Sequence, residues 1–195
     1  MSQALSKELN LKLSLMMFLQ YAIWGAWLPL LYPYLKNHMK FADADIGNMF
    51  AVGAVGAILA PFVAGQIADR FFRTERFLGL SHLAGAAVVW QLASIQPGDG
   101  AVNQFLIYSL IYSLIYSPTL SLTNSLSFHH LPDRDRDFGR VRVWGTVGWI
   151  FVGIMIGQHL LRSYAGGEFD NASNPEVYAG YADAFRLSAW IGAAM

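Results

Sequence analysis

Apolar and polar positions along this chain separate into blocks instead of alternating. Five stretches, residues 13–35, 46–68, 77–98, 100–132 and 143–161, contain no Asp, Glu, Lys or Arg. A helix rises about 1.5 Å per residue and the hydrocarbon core of a bilayer is about 30 Å thick, so about 20 apolar residues cross it once. The pattern predicts crossings at about 11–35, 46–68, 77–97, 102–130 and 140–162. A sixth begins near Ala184 and is incomplete over 184–195. The expectation is an all-α membrane protein in which residues 1–195 form one transmembrane bundle.

Composition points the same way. Hydrophobic residues make up 55% of the chain and charged residues 13%. That charge content is about half the share usual in soluble domains, too little to cover a soluble surface. A net charge of zero gives no footprint for nucleic acid, and the lack of cysteine excludes disulfides and thiolate metal sites. No phosphate loop, paired catalytic carboxylates or nucleophile constellation is present, so no enzyme and no resident cofactor are expected. Lys7 and Lys12 precede the first run as in a signal peptide, but that run is too long for an h-region and four more follow.

Alternate connections differ in basic content. Nine Lys and Arg fall on the side that holds the N-terminus and three on the other. The positive-inside rule then places the N-terminus in the cytoplasm of a multi-pass protein, with a cytoplasmic (inner) membrane as its expected location. The outward connection from Ser163 to Asp183 carries Glu168, Asp170, Glu176 and Asp183 and reads as an irregular loop, its Asn171-Ala-Ser triplet a chance match. The alternating charges from Asp133 to Asp137 read as a solvated turn.

Small residues recur at helical spacing in the second span (Gly47, Gly53, Gly56, Ala60) and the fifth (Gly145, Gly148, Gly153, Gly157), which lets backbones approach closely. Gln20 and Asn124 lie deep in charge-free helices, where an unpaired amide is costly, so each is expected to face a cavity or a neighbouring helix. Tyr108, Tyr112 and Tyr116 share one drifting face, read as helix packing with satisfied hydroxyls in preference to a solute path. His82 and His159 are not assigned as proton carriers.

Two motifs carry candidate chemistry. At the end of the second span, Gly65, Asp69, Arg70 and Arg73 place an acid beside basic residues at a helix terminus, either a charge latch across a tight turn or a plain basic loop with a chance acid. In the fifth span, Arg142, Thr146, Trp149 and Gly153 fall on one helical stripe. A cation, a hydroxyl, an aromatic plate and a space suit a flat, hydrogen-bonding solute. The stripe fits equally an interfacial arginine beside a lipid-facing tryptophan.

These motifs resemble known transporters. The latch resembles the major facilitator superfamily signature, with Phe72 where that signature has Gly. Gln20 to Leu28 with its Trp24-Gly25-Ala-Trp27, Tyr116 to Asn124 with Ser117-Pro118-Thr119, and Arg142-Val-Trp144-Gly145-Thr146 together resemble the nucleoside:proton symporter branch. The resemblance implies the N-terminal six-helix half of a major facilitator fold, its sixth helix truncated and its C-terminal half absent. It implies proton-coupled nucleoside uptake, with the proton as coupling ion and Arg142, Thr146 and Trp149 at the solute. Gln20 and Asn124 are added as candidate solute contacts. None of the thirteen Asp and Glu falls within the predicted spans, and the resemblance implies that the coupling carboxylates lie in the missing half. Expected partners are a small-molecule solute, the lipid bilayer and that half. A sugar or oligosaccharide:proton symporter, or a non-transporting six-helix membrane module, are the competing readings.

Overall fold

The computed structural model describes residues 5–63, 73–167 and 174–195. Its helices are α1 (Lys7–Pro33), α2 (Asp43–Val63), α3 (Thr74–Ser94), α4 (Ala101–His130), α5 (Arg134–Tyr164), a short α6 (Pro175–Gly180) and α7 (Ala182–Ala194). Five of them are long and apolar enough to cross a membrane, and no strand occurs among the described residues.

Helix ends follow local chemistry. Ser6 caps α1 by accepting the Leu9 N–H at 3.2 Å. Pro29 and Pro33 remove backbone donors late in α1, and directly after Pro33 the helix widens into a π-helical segment, Tyr34–His38. The wider ladder is closed by the Met39 N–H donating to the Tyr34 carbonyl at 3.0 Å. Lys40 then turns left-handed, with φ of 61°, and the chain reverses into α2. Asp133 caps α5 through the Arg136 N–H at 3.2 Å, so α5 starts six residues before the predicted span at 140.

Packing pairs α1 with α5 and α2 with α4, while α3 and α7 pack together behind α1 and α4. Glycine sets the two front crossings. A Cβ on Gly25 would stand 2.7 Å from the Trp149 Cα, and one on Gly148 would overlap the Phe18 backbone, so α1 and α5 touch through both. Gly56 lets α2 close on Ser113, whose hydroxyl donates to the Val52 carbonyl at 2.9 Å. Gly47 and Gly53 instead meet nothing within 4 Å, so only part of the small-residue pattern in α2 serves this contact. One end of the bundle is filled by aromatics, with Trp27 stacked on Phe185 at 5.5 Å and Tyr34 tilted against the same ring at 5.3 Å.

Two expectations change. The connection from Ser163 to Asp183 is not simply irregular: Asn174 caps α6, Pro175 occupies its first turn, and α7 has begun by Ala182. Asp183 accepts from Tyr164 at 2.7 Å, Arg186 at 2.8 Å and His159 at 3.1 Å, which ties the end of α5 to α7. Burial works against its charge, yet these three donors hold its carboxyl below the ordinary carboxylate value. Nor is the Asp133–Asp137 run all solvated, because Asp137 is fully buried and Arg136 donates to both its oxygens at 2.8 Å. Gly65, Asp69, Arg70 and the Asn171 triplet lie outside the described residues, and Arg73 is exposed just before α3.

Candidate functional site

The stripe on α5 lies beside the buried seam that joins it to α1. Val141, Gly145, Gly148 and Val152 form that seam, and Arg142, Thr146, Trp149 and Gly153 flank it one position later. Arg142, Trp149 and Gly153 are half-buried and Thr146 is exposed. They look across at α1, not outward alone: the Arg142 guanidinium sits 3.9 Å above the Tyr21 ring. Trp149 meets Trp24 edge-on at 6.4 Å, and Gly153 faces the Gly25 carbonyl, with 3.7 Å left for a Cβ.

Arg142 is held by an aromatic face. It makes no ion pair with a carboxylate among the described residues, so the Tyr21 ring face is the electron-rich surface beside it. Such a cation–π contact is worth about 1 kcal/mol and uses none of the guanidinium N–H donors in its plane. Among the described residues no hydrogen bond takes these donors, which suits them to a carbonyl, hydroxyl or ring nitrogen of a solute. Gly145 makes the arrangement possible, since a Cβ there would lie 2.6 Å from the Tyr21 ring and 2.7 Å from Arg142 Nη1.

An aromatic wall continues from the stripe. Trp24 is tilted against Tyr116 at 5.6 Å, Tyr116 stacks on Tyr112 at 5.1 Å, and Tyr112 meets Trp27 edge-on at 5.8 Å. Beyond Trp24 these rings border a cavity of about 330 Å³ between α1, α2 and α4. Arg142, Thr146 and Trp149 are not among its walls, so Trp24 is the partition between stripe and cavity.

Gln20 lies under this wall, not on it. It is fully buried, its Nε2 donates to Thr119 at 2.9 Å, and its Oε1 lies 3.0 Å from both His82 Nε2 and the Thr123 hydroxyl. The Tyr116 hydroxyl donates to its backbone carbonyl. With Oε1 and one Nε2–H engaged inside the bundle, Gln20 is turned toward α3 and α4 and not toward the stripe. Asn124 is half-buried, and its Oδ1 is enclosed without a hydrogen-bond partner among the described residues. Among the tyrosines, the Tyr116 hydroxyl has its partner, and Tyr112 and Tyr116 both border the cavity. Sequence reasoning quoted Trp24 only within the resemblance and Gly145 only among the small residues, and it gave Tyr21 no role. The only signal was aromatic and small residues at matching depth on spans one and five.

The family described as nucleoside H+ symporter matches residues 7–185. YegT of Escherichia coli (strain K12) is 42% identical over 75% of this chain and 33% of its own length. The xanthosine permease of the same organism is 36% identical over 73% of this chain and 34% of its own length. The crystal structure of the nucleoside transporter NupG (D323A mutant) superposes with a TM-score of 0.71 at 27% identity, covering 94% of this chain and 43% of that one. The chain thus spans about a third of the length of the curated relatives it matches.

Proposed function

Because this chain belongs to the nucleoside H+ symporter family, we propose that it is the N-terminal bundle of a proton-coupled nucleoside transporter of the cytoplasmic membrane, with its N-terminus in the cytoplasm. The solute binds near the midplane between this bundle and a second one, and the two rock about it to open to each side in turn. Arg142 and Thr146 hydrogen-bond the sugar or base, and Trp149 supplies a plate for stacking. The coupling proton is carried on carboxylates of the second bundle, and no other cofactor takes part.

One observation carries this reading: a guanidinium without a carboxylate partner among the described residues, held over Tyr21 beside an exposed hydroxyl and a half-buried indole. An arginine that served only to anchor the interface would need neither the glycine that admits Tyr21 nor the aromatic wall beside it. The test is uptake of radiolabelled uridine by cells expressing the complete reading frame that encodes this chain. Uptake should collapse with an uncoupler, be competed by nucleosides and not by sugars, and fall at least tenfold in Arg142→Ala with normal membrane abundance. Competition by sugars alone, or full uptake by Arg142→Ala, would overturn the proposal.

A further inference from the structure

On the flank of the α1–α5 seam away from the stripe lies a groove of about 520 Å³, bordered by Lys7, Asn10, Leu11, Leu15 and Phe18 of α1 and by Trp144 of α5. At about 100° per residue Trp144 stands roughly 160° around α5 from Arg142, and the buried seam of Val141, Gly145, Gly148 and Val152 separates the two. A solute at the stripe does not enter this groove. Its depth in the membrane follows from the charge-free runs. Lys7 stands about 9 Å before the run that opens at residue 13, at headgroup level. Trp144 stands in the first turn of the run that opens at 143, where interfacial aromatics collect, and Leu15 and Phe18 lie deeper. At the deep end the Phe18 ring tilts against Phe151 at 5.9 Å and closes the floor. The groove thus runs from the headgroups into the hydrocarbon.

Its two ends differ in chemistry. Leu11 is 69% exposed, Leu15 53% and Trp144 45%, an apolar channel that suits an acyl chain. At the headgroup end Lys7 makes no ion pair among the described residues, whereas Lys12 is paired with Glu8 at 2.6 Å. Lys7 is also the first residue of α1, where a cation opposes the positive end of the helix dipole, so helix stability does not account for it. An anion beside it relieves both conditions. Arg140 is exposed one turn before Trp144 on the same face of α5, and the nearby Asp137 is taken by Arg136. Helical side chains lean toward the N-terminus, which directs the Arg140 charge to the headgroup level too. The geometry points to a binding site for an anionic phospholipid. Lys7 and Arg140 draw its phosphate, Asn10 stands at the level of the glycerol esters, and one acyl chain lies along Leu11, Leu15 and Trp144 to Phe18. A zwitterionic lipid carries its own cation and gains less there. The site requires only that the bundle spans a membrane, and it stands apart from the solute reading above.

The test uses the protein encoded by the complete reading frame, in nanodiscs of phosphatidylcholine with a minor share of phosphatidylglycerol. A phosphatidylglycerol probe with a diazirine on its acyl chain is compared with the matching phosphatidylcholine probe, and adducts are mapped by peptide. The expected result is preferential labelling by the phosphatidylglycerol probe of the α1 peptide that holds Leu11 and Leu15 and of the α5 peptide that holds Trp144. Lys7→Gln should lower that preference about fivefold, and Lys7→Gln combined with Arg140→Gln should bring the two probes to parity. Lys12→Gln removes the same charge from a side chain already paired, and should leave the preference intact. An equal fall in Lys12→Gln overturns the site, because the preference would then belong to the summed charge of that end of the bundle. Equal labelling by the two probes in the unaltered protein overturns it as well. Excess inorganic phosphate should not displace the probe, and displacement would overturn the lipid in favour of free phosphate.

Discussion

At Gln20 a single amide joins three helices. Its side chain reaches Thr119 and Thr123 on α4 and His82 on α3, and its own carbonyl holds Tyr116. The partners do not depend on it equally. Thr119 and Thr123 also donate to backbone carbonyls of their own helix at 2.6 and 2.7 Å, whereas the buried His82 ring has Gln20 as the partner that fixes its Nε2. Gln20→Leu should therefore lower stability chiefly by orphaning His82, by about 1–2 kcal/mol. In a His82→Leu background the same substitution should cost less than about half as much, because no stranded ring remains. Thermal unfolding of the four proteins in detergent measures the difference. Equal costs in both backgrounds would mean that His82 is not the group that suffers. Tyr21 and Gly145 make the complementary point about space: the Arg142 contact exists because residue 145 has no side chain.

Among the elements, the crossing of α1 and α5 decides where the stripe faces. Replacing a mid-helix glycine by alanine gains about 1 kcal/mol of helix propensity wherever the new methyl has room. Gly157 has nothing within 4 Å, so Gly157→Ala should be neutral or stabilising. At Gly25 the methyl would meet the Trp149 Cα and carbonyl oxygen, both at 2.7 Å, and backbone atoms cannot rotate away. Overpacking costs of about 1–3 kcal/mol then exceed the propensity gain, so Gly25→Ala should lower the unfolding temperature and weaken uridine binding by moving Trp149. A Gly25→Ala protein as stable as Gly157→Ala would show that the helices do not touch there. This contrast also marks what could be read from residues alone. Span positions were legible because lipid demands unbroken apolar runs, and the stripe was legible because helical periodicity needs one helix. Charge-free runs report hydrocarbon depth only, so α5 extends back to Arg134 through an Arg136–Asp137 pair, its carboxylate buried and its guanidinium exposed, that the run does not contain. That Gly25 packs and Gly157 does not depends on which helix lies opposite, and no single-helix pattern encodes it. The inward turn of Gln20 was undetermined for the same reason.

For the whole molecule the open variable is which face of the membrane each end of the bundle meets. The basic residues make a definite claim: outside the charge-free runs, nine of them fall on the N-terminal side and three on the other. The alternation of α1 to α5 fixes every connection once any one is placed, so a single orientation must satisfy all of them. The chain contains no cysteine, which lets single cysteines be placed without removing any. Ser6→Cys and Asp135→Cys, at exposed positions before α1 and in the first turn of α5, should resist a membrane-impermeant maleimide in intact cells and react in inside-out vesicles. Ala42→Cys, Asp99→Cys and Glu176→Cys, exposed at the opposite end, should do the reverse. Labelling of all five from outside intact cells would exclude a membrane-spanning bundle, and the full mirror pattern would invert the orientation.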